Sequence, residues 1–210
     1  MASLIDKYFS AYDLEALTKA ITAAESKTSG ELAVQIAPAS KNWLFERLTI
    51  ATVLSIVAFL ISLWFTRDTN WGNFFNFTQA TLYAMIAFVV GYFGTLFLLQ
   101  NRERKRKLVW NRAVAQFAQL TPTTGQTGVL VLLSLEEHQA AVVADQAIAQ
   151  KVAPDYWQKP VGLIVEGMKS SRHCEGLIAA VTEIGTTLAA HFPRSGDDVN
   201  EFPDAPTLLR

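Results

Sequence analysis

Asp145 is the residue whose type and position most favour a binding site. It follows an apolar segment, residues 140–144, that is typical of a strand, and it precedes a short helical pattern at residues 146–151. Loops at strand ends are where α/β folds place their sites, and a carboxylate there suits Mg²⁺ or Ca²⁺, which prefer oxygen ligands. The alternative role is structural, because aspartate is among the best N-cap residues for a following helix.

Two further sets of residues could add ligands. Thr124, Thr127 and Gly128 flank a glycine-containing turn and could offer hydroxyl or backbone N–H groups to an anion; the alternative is an ordinary polar turn. Asp197 and Asp198 lie in an acidic tail and could supply further cation ligands, although such tails are more often only solvated.

No catalytic residue is predicted. The Glu-Glu-His segment at residues 136–138 could do acid–base chemistry, but adjacent charged residues in a turn are usually solvated. His173 and Cys174 lack the spacing of a zinc site, and Ser134 lacks the G-x-S-x-G setting of a hydrolase nucleophile. There is no P-loop and no G-x-G-x-x-G motif.

The composition separates two kinds of sequence within the 210 residues. The net charge of −1 gives no sign of a nucleic-acid partner, and a single cysteine excludes an internal disulfide. The mean hydropathy of +0.21 is high, and the apolar excess is concentrated. Between Leu48 and Leu99 only Arg67 and Asp68 are charged. The chain has no N-terminal pattern of a signal peptide.

The uncharged segments predict a transmembrane hairpin at residues 44–102, with helices at about 48–65 and 76–99. Eighteen residues without a charge make a helix of about 27 Å, close to the ~30 Å thickness of a bilayer's hydrocarbon core. The alternative is a pair of buried core helices in a soluble protein. Each predicted helix carries a stripe of small residues, and the two stripes either face each other or join a second copy in a homo-oligomer.

Basic residues flank this hairpin on one side. Lys41 and Arg47 precede the first helix. A cluster follows the second helix, and its members are Arg102, Arg104, Lys105, Arg106 and Lys107. The segment between the helices has one basic residue, Arg67. The positive-inside rule therefore predicts a multi-pass protein of the cell's inner membrane with both termini in the cytoplasm. The cluster either contacts anionic lipid head groups at the interface or only sets this topology.

The remaining residues, 1–43 and 103–210, predict one α/β sandwich domain that the hairpin splits. One helix and one strand before the hairpin cannot bury a core alone, so the strand needs partners from after the hairpin. Apolar helices alternating with apolar strands are typical of such a sandwich. We expect strands at residues 31–37, 128–135 and 140–144, helices at about 10–24, 105–120, 146–151, 156–169 and 175–191, and a mostly irregular tail.

Several motifs along this domain resemble the TPM domain family, in the group of bacterial membrane proteins with a hairpin after the first strand. The motifs are SGELAV (29–34), TGVLVLLSLEEH (127–138), VVADQAI (142–148), Trp157, HFP (191–193) and NEFPD (200–204). The resemblance implies a central sheet flanked by helices. Some relatives serve photosystem repair or modulate a receptor channel, and phosphatase activity and divalent-cation binding occur in some. Relatives often carry Asp-Arg-Gly where this chain has Asp145-Gln146-Ala147.

These observations lead to two hypotheses of function. The first is a membrane-anchored, non-catalytic binding or assembly module, which holds a partner protein at the cytoplasmic face and whose surface a Ca²⁺ or Mg²⁺ ion tunes. The alternative is a metal-dependent phosphatase-type hydrolase. Such an enzyme needs several carboxylates around one ion, and the sequence alone indicates only Asp145.

Overall fold

The computed structural model describes residues 4–65, 67–68, 74–75, 77–98, 101–120, 125–194 and 200–209. They form two compact units: an α/β unit, residues 1–40 with 105–210, and a helix-pair unit, residues 41–104. The helices are α1 (Leu4–Tyr8), α2 (Ala11–Glu25), α3 (Trp43–Phe65), α4 (Phe77–Leu98), α5 (Arg102–Phe117), α6 (Gln146–Lys151), α7 (Gln158–Lys169) and α8 (His173–His191). The strands are β1 (Glu31–Ala37), β2 (Arg67–Asp68), β3 (Phe74–Phe75), β4 (Gly128–Ser134), β5 (Gln139–Ala144) and β6 (Thr207–Leu208).

The α/β unit is built on a mixed four-stranded sheet in the order β5-β4-β1-β6. β1 pairs in parallel with β4, from Glu31 opposite Gly128 to Ala37 opposite Ser134. β5 runs antiparallel to β4, as expected for two strands joined by a short turn. Every residue of β1 and β4 is buried, which agrees with the continuous apolar sequence of β4 and with helices on both faces.

Helices cover the two faces of this sheet unequally. On one face, α2, α7 and α8 share a core with alternate residues of β1 and β4. This core includes Leu17 of α2, Val131 of β4 and Ile184 of α8. On the other face, Val109 and Ala113 of α5 pack against the sheet. The unit is therefore a layered α/β structure, and the mixed α/β class expected from the sequence is confirmed.

The start of α2 shows how local sequence sets an element. The Ser10 hydroxyl accepts from the Asp13 backbone N–H at 3.2 Å, and the Asp13 carboxylate accepts from the Ser10 N–H at 2.8 Å. This is a capping box, which satisfies two donors that a helix start would otherwise leave unpaired.

In the helix-pair unit, α3 and α4 pack antiparallel through the predicted stripes of small residues. The Ser55 hydroxyl donates to the Ala84 carbonyl at 2.9 Å. A Cβ added at Gly91 would lie 3.2 Å from Ala51 Cα, so the backbones approach closely there. The prediction that the two stripes face each other is confirmed. Both helices are long and apolar enough to cross a membrane.

Several predicted element bounds differ from the structure, and the largest difference is at α3, which begins at Trp43 and not near residue 48. The tail expected to be irregular contains β6, which pairs in parallel with Gln35 and Ile36 of β1. The helix expected at 156–169 begins at Gln158, because Tyr156 is held in a turn by its N–H bond to the Ala153 carbonyl at 3.1 Å. The helix expected at 105–120 is α5, which begins and ends three residues earlier.

Candidate functional site

Asp145 lies at the edge of the sheet where β1 and β4 begin. Because β5 is antiparallel to β4, the end of β5 meets the first residue of β4, and the Asp145 N–H donates to the Gly128 carbonyl at 2.9 Å. Asp145 occupies the N-cap position of α6, but its side chain makes no capping hydrogen bond. Its Oδ2 instead accepts from the Gly128 N–H at 3.4 Å, a long hydrogen bond.

Thr127 and Gly128, members of the separately predicted anion site, lie beside Asp145, and their polar groups are engaged within the fold. The Thr127 hydroxyl donates to the Ser29 carbonyl at 3.1 Å, and the Thr127 side chain is buried. The Thr127 carbonyl accepts from the Glu31 N–H at 3.1 Å. These bonds join β1 to the turn before β4. Thr124, the third member of the predicted anion site, lies outside the described residues.

The predicted cation ligands of the tail, Asp197 and Asp198, also lie outside the described residues. Within the described part of the chain, no group of three or more His, Cys, Asp or Glu side chains converges closely enough to hold a metal ion. Asp145 therefore belongs to no such group among those residues.

A polar cavity that the sequence did not indicate lies near the amino end of β1. Its volume is about 110 Å³, room for a few water molecules and well below the roughly 300–1,000 Å³ of small-molecule sites. Three carboxyl groups reach it, from α2, from β1 and from the C-terminal segment. The lining residues are Thr22, Glu25, Ser26, Glu31, Arg194, Asn200 and Asp204.

Hydrogen bonds around this cavity fasten the C-terminal segment to the domain. The Thr22 hydroxyl donates to Asp204 Oδ2 at 2.6 Å, and the Asn200 amide donates to the other carboxylate oxygen of Asp204. The buried Glu31 carboxylate accepts from the Phe202 N–H at 3.0 Å. The cavity is thus a polar joint that holds residues 200–204 against α2 and β1.

Glu25 is the electrostatically unusual member of this joint. One carboxyl oxygen accepts from the Leu32 N–H at 2.9 Å, and the other is buried with no hydrogen-bond partner among the residues that the structure describes. Burial, followed by the nearby charges of Glu31 and Asp204, raises the pKa of Glu25 to about 8, against the lowering effect of the Leu32 N–H. Glu25 is therefore mostly protonated at neutral pH, which lets three carboxyl groups share one small cavity.

A second polar cluster lies at the opposite edge of the sheet, where β1 and β4 end. Glu137 is only 2% exposed. Its two carboxylate oxygens accept from the Ser40 N–H at 3.1 and 3.0 Å, and one also accepts from the Ser134 hydroxyl. The expectation that residues 136–138 form a solvated turn is wrong for Glu137. The cause is the β1–β4 pairing, which brings Ser40 over the turn.

The predicted membrane-flanking cations have different surroundings. In the helix-pair unit, Lys41 and Arg104 both pair with Glu46, Lys41 at 2.8 Å. Arg102, Arg106 and Lys107 are exposed, and Lys105 is partly buried.

No family model and no curated protein sequence matches the chain. Among solved structures, the chain is similar to the NMR structure of BA42 protein from the psychrophilic bacterium Bizionia argentinensis. The identity is 20%, the match covers 98% of each chain, and the TM-score is 0.58. At this identity the similarity supports the fold alone.

Proposed function

We propose that the chain is a membrane-anchored binding module of the TPM type. In this proposal α3 and α4 span the inner membrane as a hairpin, both termini are cytoplasmic, and the α/β unit holds a partner protein at the cytoplasmic face. The observation that carries the proposal is the exposure of apolar side chains along both helices.

The lengths and surfaces of α3 and α4 suit a bilayer. They contain 23 and 22 residues, so each is about 33–35 Å long at 1.5 Å per residue, enough to cross a hydrocarbon core of about 30 Å. Leu60 is 59% exposed and Val90 is 64% exposed, and many other apolar side chains of the two helices are exposed as well. Only 11% and 17% of the two apolar windows are buried. The core helices of a soluble protein would be mostly buried instead.

The flanking residues favour the proposed orientation. Trp64 and Phe65 are exposed at the end of α3 next to the connecting segment, where aromatic rings favour the membrane–water interface. The basic residues lie at the other ends of the hairpin, before α3 and after α4. The positive-inside rule associates such basic flanks with the cytoplasmic side of the membrane.

The edge of the sheet offers a surface for a partner. Among the described residues, β5 has a neighbouring strand only on the β4 side, and its sequence, QAAVVA, carries no charge. Natural proteins usually protect such edges with charges or proline. At the ends of β5, where Gln139, Val143 and Ala144 are partly exposed, an uncharged edge strand suits a partner that adds a strand of its own. The middle of β5, residues 140–142, is buried. The phosphatase alternative has no comparable support in the described residues.

Membrane insertion can be tested with two substitutions at exposed apolar positions. Leu60→Arg and Val90→Arg together would be harmless on the surface of a soluble protein. An arginine at the centre of a membrane span costs at least about 2.5 kcal/mol; Val90 lies near the middle of α4, and Leu60 lies nearer the end of α3. We expect the wild-type chain to stay with membranes during alkaline carbonate extraction and the double variant to be released or not inserted. A wild-type chain that is monodisperse without detergent would disprove the anchor.

Partner binding can be tested from the β5 edge. A photo-crosslinking residue at Gln139, at the start of β5, should capture a protein in intact membranes, and one at the exposed Lys169 of α7 serves as the control. The captured protein, once purified, should bind the wild-type chain and lose affinity for Ala140→Pro, which interrupts the edge strand. Equal binding to both chains would refute the edge as the partner site.

The cation expected at Asp145 has its own test. A thermal-shift titration of the purified chain with Ca²⁺ and Mg²⁺ should give a saturable rise in melting temperature that Asp145→Asn abolishes. Asp155→Asn, in the turn before α7, is the control. A rise that persists in Asp145→Asn would place the ion elsewhere, and no rise with either ion would remove the cation from the proposed function.

A further inference from the structure

Helix α5 presents two different apolar faces. Val109 and Ala113 are fully buried against the sheet. Trp110 and Val114, each one residue further along, are 48% and 43% exposed. Residues four apart share one side of a helix, so the packing of Val109 and Ala113 fixes Trp110 and Val114 on an outward side.

Cationic residues flank the same outward side. Arg106 and Lys107 precede Trp110 by four and three residues and are exposed. They therefore lie within one turn of the tryptophan. We name the surface formed by Arg106, Lys107, Trp110 and Val114 the α5 face. It combines a large amphipathic ring and an aliphatic side chain with two positive charges.

We infer that the α5 face docks onto anionic lipid head groups at the membrane surface, so that α5 is an interfacial helix. This inference rests on the proposed membrane anchor. Tryptophan favours the interface between head groups and hydrocarbon. Lysine and arginine near a membrane surface are attracted by the negative potential of the cytoplasmic leaflet. The inference therefore adds Trp110 and Val114 to the basic cluster as residues that contact the lipid.

The covalent chain limits how far the α5 face can lie from the membrane. α4 ends at Leu98 and α5 begins at Arg102, a step of at most about 14 Å. Trp110 is eight residues further along the helix, about 12 Å. With the end of α4 at the membrane surface, Trp110 is therefore within about 26 Å of it.

The charge of the face selects lipid over a second copy of the chain. A symmetric dimer through the α5 face would place Arg106 and Lys107 of both copies near one another. Like charges so close oppose association, whereas anionic head groups neutralise them. An anionic bilayer is thus the occupant that satisfies both the ring and the charges.

The test uses the full chain in lipid nanodiscs with one fluorescent label. Cys174→Ser removes the native thiol, and Val114→Cys carries an NBD group on the α5 face. Ala115→Cys, at the exposed neighbouring position, is the matched control on another side of the helix. Quenching by nitroxide-labelled lipid reports contact with the bilayer, and reduction by dithionite reports contact with water. Nanodiscs of phosphatidylcholine are compared with nanodiscs that also contain phosphatidylglycerol.

We expect stronger lipid quenching and slower dithionite reduction at position 114 than at position 115, in the anionic nanodiscs. Arg106→Gln with Lys107→Gln should reduce the ratio of docked to undocked α5, by about fivefold per charge removed. Raising the salt concentration should weaken docking of the unsubstituted face in the same direction, which keeps the test valid if the double variant folds poorly.

Two results would overturn the inference and leave the membrane anchor intact. One is equal, weak lipid quenching at both positions in a chain that remains in the nanodisc. The other is protection of position 114 from both lipid and water, which indicates a protein contact such as a second copy. A chain that fails to enter the nanodisc would instead refute the proposed anchor, and the inference with it.

Discussion

Glu25 couples the stability of the fold to pH through its raised pKa. The unfolded chain releases this proton near the ordinary value of 4.5, whereas the folded chain keeps it until about pH 8. Between these values the folded state binds more protons than the unfolded state. The contribution of Glu25 to stability is therefore fully present below about pH 4.5 and is lost as the pH rises through 8.

Replacing Glu25 with glutamine should remove this pH dependence. The amide keeps the acceptor for the Leu32 N–H and cannot ionise beside Glu31 and Asp204. We expect similar melting temperatures near pH 5, and an advantage of about 2–4 °C for Glu25→Gln at pH 8.5. Thermal melts from pH 5 to 9 would show the difference, with Glu175→Gln on the exposed start of α8 as the control. Parallel pH profiles of wild type and Glu25→Gln would contradict the prediction.

Glu137 should matter for stability although its neighbour Glu136 is exposed. Glu137→Ala would leave the Ser40 N–H and the Ser134 hydroxyl without their buried acceptor, which costs about 1–3 kcal/mol. We expect the melting temperature to fall by about 5 °C and to change little in Glu136→Ala. The same small change in both variants would show that the cluster does not stabilise the turn.

The roles of these carboxylates could not be predicted from the sequence because their partners are distant along the chain. Ser40 and Glu137 are 97 residues apart, and Glu31 binds a backbone N–H 171 residues away. The signal that was present is a glutamate beginning the mostly apolar β1. The proximity of Asp145 to Thr127 and Gly128 was not predicted; it follows from the antiparallel pairing of β5 with β4, which brings the end of β5 to the start of β4. Whether that cluster binds an ion remains a prediction.

At the scale of elements, helix α8 crosses α2 at a point that admits no side chain. A Cβ added at Gly185 would lie 2.5 Å from the Ala24 Cβ and 3.1 Å from its Cα. Neither atom can move without shifting a helix backbone.

Gly185→Ala should therefore destabilise the α/β unit, since overpacking a fitted contact costs about 1–3 kcal/mol. Gly162→Ala in α7 is the matched control, because a Cβ there meets nothing within 4 Å and alanine favours the helix. We expect a lower melting temperature for Gly185→Ala and an unchanged or higher one for Gly162→Ala. Equal melting temperatures would mean that the crossing can relax.

Elements with a long periodic or continuous apolar pattern could be predicted, and short ones could not. α2 and α8 follow from apolar residues at helical spacing, and β1 and β4 from apolar runs. α1 and β6 are too short to show a period. β6 exists only because the polar joint at Asp204 holds the segment before it beside β1, which is a tertiary effect.

At the scale of the whole molecule, the chain combines a nearly uncharged apolar segment with an α/β unit of ordinary composition. The pairing of β1 with β4 follows from the need of an isolated strand for partners, and residues 38–127 separate the two strands. The helix pair between them was predictable from the near absence of charge. The proposal that the α/β unit lies on the cytoplasmic side of a membrane rests on the distribution of basic residues, and labelling of cysteines can test it.

The native Cys174 is a poor reporter for this purpose. Its thiol donates to the Asp13 carbonyl at 3.4 Å, and burial, followed by the charge of Asp13, raises its pKa to about 11. Maleimides react with the thiolate, so labelling of Cys174 would be slow from either side. A Cys174→Ser chain with a new cysteine in an exposed position avoids this difficulty.

Tyr12→Cys and Thr69→Cys in that background should label from opposite sides. Tyr12 is 79% exposed in the α/β unit, and Thr69 lies between the two long helices in the sequence. In intact cells whose outer membrane is made permeable, an impermeant maleimide should reach Thr69→Cys at once and Tyr12→Cys only after the inner membrane is opened. The reverse pattern would place both termini outside the cytoplasm. Labelling of both positions without opening the inner membrane would mean that the helices do not span it.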